Sequence, residues 1–371
     1  MPSCLDNPGG ESCTQGRGVV PSASSVLPFP ETAPESSTGL RVRPYIPGDE
    51  ASLVELYSAI FRERSLAEWR WLFQQGPEGP ALIGVLEHDG RPVGSIAHIP
   101  TAVWVDGRRL RLATGCDLMI SPECRGRGGS QQLVETFLES DHGFDLNLGH
   151  VNDRSGHVFT EYAGTVRLRR ARHWIRYHDR DERLPASLTR PLRVCGAVLS
   201  GHRPHLTVED LGAPGDDVDE LARDSAGFAR CIRVRDAAYI RWRWSEQPGA
   251  DWRIRAVRDP RGTLRGFVVI GAVEESAGRR GVIADLLVRD YAAMRALMTD
   301  AWSSLMMEGC HSVTCTYHDP RWWTKQAMLR SGFIPSPKGG ARMACGPLSV
   351  RAGDAVGRLE SWYLTHGDTS I

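Results

Sequence analysis

Lysine is nearly missing from this chain. Of 45 basic residues only Lys325 and Lys338 are lysines, and arginine supplies the rest. Net charge is missing too, because 45 Asp and Glu residues balance the bases. A neutral chain has no global attraction for nucleic acid, an anionic membrane or an acidic polymer. Paired cysteine spacing is absent. The nine cysteines are odd in number and scattered, with no Cys-x-x-Cys, which speaks against a disulfide framework and a zinc site and for reduced thiols. Cys116 and Cys124 read as small buried apolar residues, not nucleophiles. No stretch approaches the ~18 consecutive apolar residues that cross a bilayer. The N-terminus lacks the basic-then-apolar order of a signal peptide. A cytoplasmic protein that binds no metal is expected.

What is present is room and pattern. The 371 residues can hold two domains with two cores. Residues 1–39 are rich in Pro, Ser and Gly and cannot bury enough apolar surface to offset ordering entropy, so they read as disordered. Structure is expected from Leu40. A strand leads to a helix with Asp49 as N-cap and Leu53, Val54, Leu56 and Tyr57 on its apolar face. A second helix carries Trp69, Trp71, Leu72 and Phe73 and stops before Gly76-Pro77. Strands are expected at 81–87, 91–99, 101–105 and 109–120, with Asp89-Gly90 a hairpin turn. Then come a helix at 129–140, a strand at 144–151, a helix at 152–163 and a long strand region at 165–177. Five arginines in that last region, Arg167 to Arg176, make a basic face that is either solvated or a wall facing phosphates.

The most informative stretch joins the fourth strand to the next helix. Arg125-Gly-Arg-Gly-Gly-Ser130 follows the apolar strand Asp117-Leu-Met-Ile120 and precedes Leu133, Val134, Phe137 and Leu138 at helical spacing. Three glycines in four residues let backbone N–H groups converge on one point. The helix dipole and two arginines add positive potential there, a combination suited to a pyrophosphate. It is no Walker A loop, because no Gly-Lys-Ser/Thr follows.

The second half of the chain repeats the first. Pro47-Gly48-Asp49 recurs as Pro214-Gly215-Asp216, Trp71 as Trp242, Gly90 and Gly94 as Gly262 and Gly266, Asp117-Leu-Met-Ile as Asp285-Leu-Leu-Val, and Gly164 as Gly332, all offset by 167 to 172 residues. The copies differ at the glycine-rich turn. The second has Arg289-Asp-Tyr-Ala-Ala-Met-Arg there, so its amides cannot converge without a Cβ penalty.

With loop, element order and repeat together, residues 40–350 resemble the GNAT acetyltransferase superfamily in its tandem form. The family's Gln/Arg-x-x-Gly-x-Gly/Ala loop is matched by Arg125 to Ser130, with Ser at the last place. Pro122 before the loop and Asn152 opening the later helix also fit. The resemblance implies an α/β (α+β) architecture of two GNAT-like domains, each a mixed, mostly antiparallel twisted sheet flanked by helices. Domain 1 would span 40–182 and hold acetyl-CoA. A degenerate domain 2 would span 183–350, and 351–371 would be a docked tail. It further implies that the pyrophosphate sits on Arg125, Gly126, Arg127, Gly128, Gly129 and Ser130, that Leu118, Met119 and Ile120 pair with the pantetheine arm, and that Asn152 joins the cofactor site.

The implied reaction is direct transfer of an acetyl or other acyl group to a primary amine of a small molecule or peptide. An alkyl amine with pKa near ~10.4 is about one part in 10³ nucleophile at pH 7, a deficit on the order of 4 kcal/mol, so a base or a site that lowers that pKa is needed. The thiolate leaving group, pKa about 8.5, needs little help. Asp117 is the first candidate base, against a purely structural ion pair. Asp368 or the carboxylate of Ile371, at the end of the aromatic run from Trp362, is the second. The family's usual acid position holds Thr160, so Tyr162, two residues on, is the candidate acid. The second domain would serve as an internal pseudo-partner in a monomer or weak dimer. The alternatives are a Fem-like aminoacyl transferase, which needs no such loop, and a non-catalytic acyl-CoA-binding or scaffold module.

Overall fold

The computed structural model describes residues 39–152, 155–178, 205–276, 278–336 and 340–369. The expected disordered N-terminal segment up to residue 38, most of the connector between the halves, and Ile371 lie outside the described residues.

The first half runs β1 (Leu40–Pro44), α1 (Glu50–Ile60), α2 (Leu66–Gln74), β2 (Leu82–His88), β3 (Arg91–Val105), β4 (Arg108–Ile120), α3 (Gly129–Glu139), β5 (Leu146–His150), α4 (Gly156–Tyr162), β6 (Val166–Arg167) and β7 (His173–Tyr177). The second runs β8 (Thr207–Asp210), α5 (Asp216–Asp224), β9 (Cys231–Arg233), α6 (Ala237–Ile240) continued by a π turn at Arg241–Ser245, β10 (Arg253–Arg258), β11 (Leu264–Glu275), β12 (Gly278–Val288), α7 (Tyr291–Met307), β13 (Ser312–His318), α8 (Thr324–Arg330), β14 (Ile334–Pro335), β15 (Met343–Pro347), β16 (Trp362–Thr365) and α9 (His366–Thr369). Apart from β9, β16 and α9, every element of one half has a counterpart in the other. α4 and α8 stand 168 residues apart at both ends.

The correspondence reaches single contacts. Both β3–β4 and β11–β12 carry a bulge, and Asp117 and Asp285 stand at the two bulges. Gly94 and Gly266 each lie where a Cβ would come within 2.7 Å of a carbonyl of the facing strand, at Met119 and Leu287. The halves meet at an approximate two-fold. Trp71 and Trp242 stack with ring centroids 5.5 Å apart. Trp71 Nε1 donates to the carbonyl of Trp242 at 2.7 Å and Trp242 Nε1 to that of Trp71 at 3.0 Å. Two indoles are thus buried with their only polar atoms satisfied, as buried tryptophan requires.

The sheets are mixed. Antiparallel β1–β2–β3–β4 continues through the parallel pair β4–β5, and β10–β11–β12 through parallel β12–β13. The last strands are exchanged. β7 pairs with β13 and β14 of the second half, while β15 pairs with β5 and β6 of the first. Neither half closes its sheet alone. β9 and β16 bridge the two sheets, β9 pairing with β3 and β16, and β16 with β13.

Several local expectations change. Residues 91–105 form one strand through Pro100, since β2 reaches only to His98 and β9 starts at Val103. Proline sits where one flank has no strand to receive an N–H. The region 165–177 is two short strands, because between them Leu168 N and Ala171 N donate to the carbonyls of Met343 and Ala341. The helix expected from 152 starts at Gly156, after a turn in which Asn152 Oδ1 accepts from Ser155 N at 2.8 Å. Asp49 makes no side-chain cap bond. Its carboxylate instead pairs with Arg43 at 2.7 Å.

Candidate active site between the two halves

The glycine-rich turn stands at the N-terminus of α3. Gly126 and Gly128 have φ of +77° and +82°, the left-handed region where a Cβ is penalised. Gly129 is glycine for a different reason: a Cβ there would meet Leu86 at 2.5 Å. The helix starts with no side-chain cap and no acidic residue in its first turn. Its first amides therefore have no intrahelical acceptor and face outward beside exposed Arg125 and Arg127. These residues fit a pyrophosphate.

From the loop, β4 runs back into the molecule. Its pairing with β5 spans Leu112–Gly115 and stops there, although β4 continues to Ile120. The other edge of β4 stays paired with β3 as far as Ile120. Leu118, Met119 and Ile120 thus lie on a strand whose β5-side edge is unpaired.

The bulge lies in this open stretch. Ser95 faces Met119 and Ala97 faces Cys116, so Asp117 and Leu118 share the place opposite one residue. Asp117 has φ of +50°, a strained conformation for a non-glycine residue, costing on the order of 1–3 kcal/mol. The bulge re-aims a side chain, as bulges beside active sites do. The Asp117 carboxylate pairs with the Arg64 guanidinium, which lies 3.4 Å above the Tyr57 ring. Burial pushes the Asp117 carboxyl above its ordinary range, with Arg64 opposing that rise.

A cavity of about 520 Å³ opens over this stretch, between the halves. β4 contributes Thr114 to Leu118, α1 Tyr57 with Phe61 just past its end, and the β5–α4 segment His150, Asn152, Ser155 and Phe159. Thr316, Ala341 and the tail residues His366, Asp368 and Thr369 complete the wall. Burial lowers both imidazoles, His366 to about 4, so they are neutral at pH 7. The Cys116 thiol is pushed well above its ordinary value by burial and by Asp117, and so stays protonated.

The structure brings Asp117, Leu118, Asn152 and Asp368 to one cavity, with the loop residues at the start of the helix that follows β4. Tyr162 is not among its lining residues; it packs against the first-half core beside α3. Thr160 turns its hydroxyl back to the carbonyl of Gly156 at 3.0 Å. Asp368 is at the wall but engaged. Oδ1 accepts from Arg233 Nε at 2.8 Å, and Oδ2 from Arg235 Nη2 at 2.5 Å and from Thr365 N at 2.8 Å. These partners hold its carboxyl below the usual range against burial, which weakens it as a base. Tyr57, Arg64, His150 and His366 were not expected. Two had a signal in the repeat: His150 aligns with His318, and Arg64 with Arg235.

The second half has the same parts, closed. Arg235 Nε donates to Asp285 Oδ1 at 2.8 Å, as Arg64 does to Asp117. The parallel pairing of β12 and β13 ends at Ile283 and Cys315. There the tail enters, Thr365 and Leu364 pairing with Tyr317 and His318. A Cβ on Gly367 would meet Trp244 at 2.6 Å. At the helix start, Asp290 Oδ1 accepts from Ala293 N at 2.9 Å, so a side chain of the chain itself fills the anion position.

Residues 51–164 match the family model of the acetyltransferase (GNAT) family. Among curated proteins none matches. Solved structures with this fold include a probable N-acyltransferase from Enterococcus faecalis V583, 13% identical over 84% of this chain and 73% of that one, TM-score 0.59. A GCN5-related N-acetyltransferase from Anabaena variabilis is 14% identical over 84% and 73%, TM-score 0.58. One from Kribbella flavida is 16% identical over 85% and 74%, TM-score 0.57.

Proposed function

We propose that this chain, which carries a GNAT acetyltransferase domain over residues 51–164, is an N-acyltransferase that moves an acetyl group from acetyl-CoA to a primary amine in one direct step. The observation that carries this reading is the contrast within the molecule. The first half joins an uncapped, glycine-rich helix start to an unpaired strand edge and a cavity, and the second half blocks the helix start and the edge with its own residues.

Residues 125–130 hold the pyrophosphate, and Leu118, Met119 and Ile120 offer backbone groups to the pantetheine arm. An amide near Met119 or Ile120 steadies the developing oxyanion. Acetyl-CoA supplies the thioester: a C–N bond forms, the C–S bond breaks with its electron pair leaving on sulfur, and the neutral amine loses one proton. Asp117 takes that proton first. A carboxylate with raised pKa is a better base than an ordinary one, and Arg64 fixes its direction. Asp368 and Tyr162 take no part in proton transfer. The sulfur leaves as a thiolate that water can protonate, as its pKa of about 8.5 permits.

Calorimetric titration with acetyl-CoA, followed by measurement of CoA release over a panel of amines, tests this. One molecule bound per chain and turnover on an amine are expected. No binding at millimolar concentration sinks the proposal. Binding without turnover on any amine turns it into an acyl-CoA-binding module.

A further inference from the structure

We infer that Tyr57 is a positioning residue for the transfer: its ring seats the Arg64 guanidinium, and the guanidinium in turn aims the Asp117 carboxylate. This rests on the acyltransferase reading, in which Asp117 is the base. The three groups come from α1, the α1–α2 loop and the β4 bulge, and the fold gathers them. Arg64 N donates to Ser58 Oγ at 3.2 Å. That bond folds the loop back on α1, and the guanidinium lies 3.4 Å above the Tyr57 ring. The Phe73 ring of α2 is farther off, at 5.6 Å. Both Nη groups point to Asp117, Nη2 at 3.5 Å from Oδ1.

The second half shows what the ring replaces. Arg235 is fixed by hydrogen bonds at every nitrogen: Nε to Asp285 at 2.8 Å, Nη1 to the carbonyl of Arg233 at 3.1 Å, and Nη2 to Thr365 and Asp368 at 2.9 and 2.5 Å. The Tyr363 ring lies 5.3 Å from it. Arg64 is equally buried, with 2% side-chain exposure, yet its Nε has no hydrogen-bond partner among the described residues, and Glu68 Oε1 stands 4.0 Å away. A guanidinium bonded at one end can swing. A ring flat against it stops that, and cation–π attraction is strongest where water is excluded. Besides burial, Asp117 feels Arg64 most, then Arg62 and Glu68. Tyr57 and the Cys116 thiol are its other titratable neighbours, and His150, His366 and Asp368 line the same cavity.

The test titrates the aspartate carboxylates by NMR, the Asp117 signal being the one lost in Asp117→Asn. Tyr57→Leu keeps apolar cover over the pair and removes the ring. Arg64 then holds the carboxylate less, and the Asp117 midpoint should rise by about one pH unit. Tyr57→Phe keeps the ring and should leave the midpoint in place. In an Arg64→Met background Tyr57→Leu should no longer move it, because the ring acts through the arginine. CoA release from acetyl-CoA, with an amine of the panel that turns over, should show the acid limb displaced in step. On the alkaline plateau kcat should fall about tenfold in Tyr57→Leu and about twofold or less in Tyr57→Phe. Tyr57→Met takes the place of Tyr57→Leu if the latter does not fold. An unmoved midpoint without the ring, an equal shift in Tyr57→Phe, or an equal shift with and without Arg64 overturns the inference while leaving the acyltransferase standing. Turnover on no amine overturns both, and a midpoint shift then marks a clamp without a reaction.

Discussion

The two halves pose one comparison: the same Arg–Asp pair at the same bulge faces a cavity in the first half and a plug in the second. Arg64 and Asp117 stand beside open space, while Arg235 and Asp285 are sealed under Thr365 and Asp368. The pair by itself is therefore a structural device of the fold, holding a bulged strand against the α1–α2 or α5–α6 layer. What distinguishes a site is the surroundings: an uncapped helix start, a strand edge with no partner, and no tail in the slot. The tail has a double role. By filling the second slot it becomes the far wall of the first.

The largest expected effect breaks the pair in each half. Asp285→Asn leaves Arg235 with one carboxylate fewer at 0% side-chain exposure, and breaking a buried pair costs about 3–5 kcal/mol. Denaturant unfolding should register that loss, with kcat per folded molecule changed little. Asp117→Asn should lose stability as well, by about 3–5 kcal/mol, because it leaves the buried Arg64 without this carboxylate. Here, unlike in the second half, kcat per folded molecule also falls, by about 100-fold, as expected for a lost general base. In the wild type kcat/KM should fall with pH as Asp117 protonates, at a pH above that of an ordinary aspartate, since its pKa is raised. A flat acid limb, or equal activity losses in the two variants, would erase the distinction between the halves.

Next in size is the helix start. Gly128→Asp introduces a Cβ at φ of +82° and a carboxylate where the first turn of α3 points its amides. Acetyl-CoA affinity should fall by about 100-fold or more, near 2.7 kcal/mol. The fold should survive with a loss of about 1–2 kcal/mol from the left-handed backbone. The second half indicates the outcome, since Asp290 sits at its helix start and α7 is intact. Normal binding measured by calorimetry would reduce the loop to a turn.

Much of this was legible in the sequence, and the reason is duplication. The glycine loop and five landmarks offset by 167 to 172 residues indicated the architecture and the helix start proposed as the anion site, because glycine at positive φ and paired turns leave residue-type signatures. Asp117 could be named but not aimed, since a bulge depends on the register of a neighbouring strand. The exchange of β7 and β15 left no signature. Both strands pair with partners more than a hundred residues away, and their side chains read the same in either sheet. His150 and His366 were missed because a cavity is a relation among loops from both halves. Tyr162 stands off the cavity because the seven-residue α4 turns it onto the core.

The smallest expected effect concerns a difference in the cores. His98 on β3 is buried and stacks on Phe137 at 3.5 Å with ring planes 8° apart, while its counterpart on β11 is Ile270. Burial pulls the His98 pKa from 6.5 to about 3. The sign follows from linkage: the folded chain binds this proton more weakly than the unfolded chain does. The contribution is complete above pH 6.5 and is lost as pH falls toward about 3, at up to about 1.4 kcal/mol per pH unit. His98→Leu removes that sensitivity and exchanges a polar ring with an unpaired Nδ1 for an apolar side chain. Its cost at pH 7.5 should be within about 1.5 kcal/mol, the loss of a stacked ring balanced against the gain of a dry core. At pH 5 the variant should equal or exceed the wild type. Urea midpoints at the two pH values read the crossing. If the two proteins lose stability in parallel as the solution is acidified, His98 is not the group that makes the first half the more acid-sensitive core.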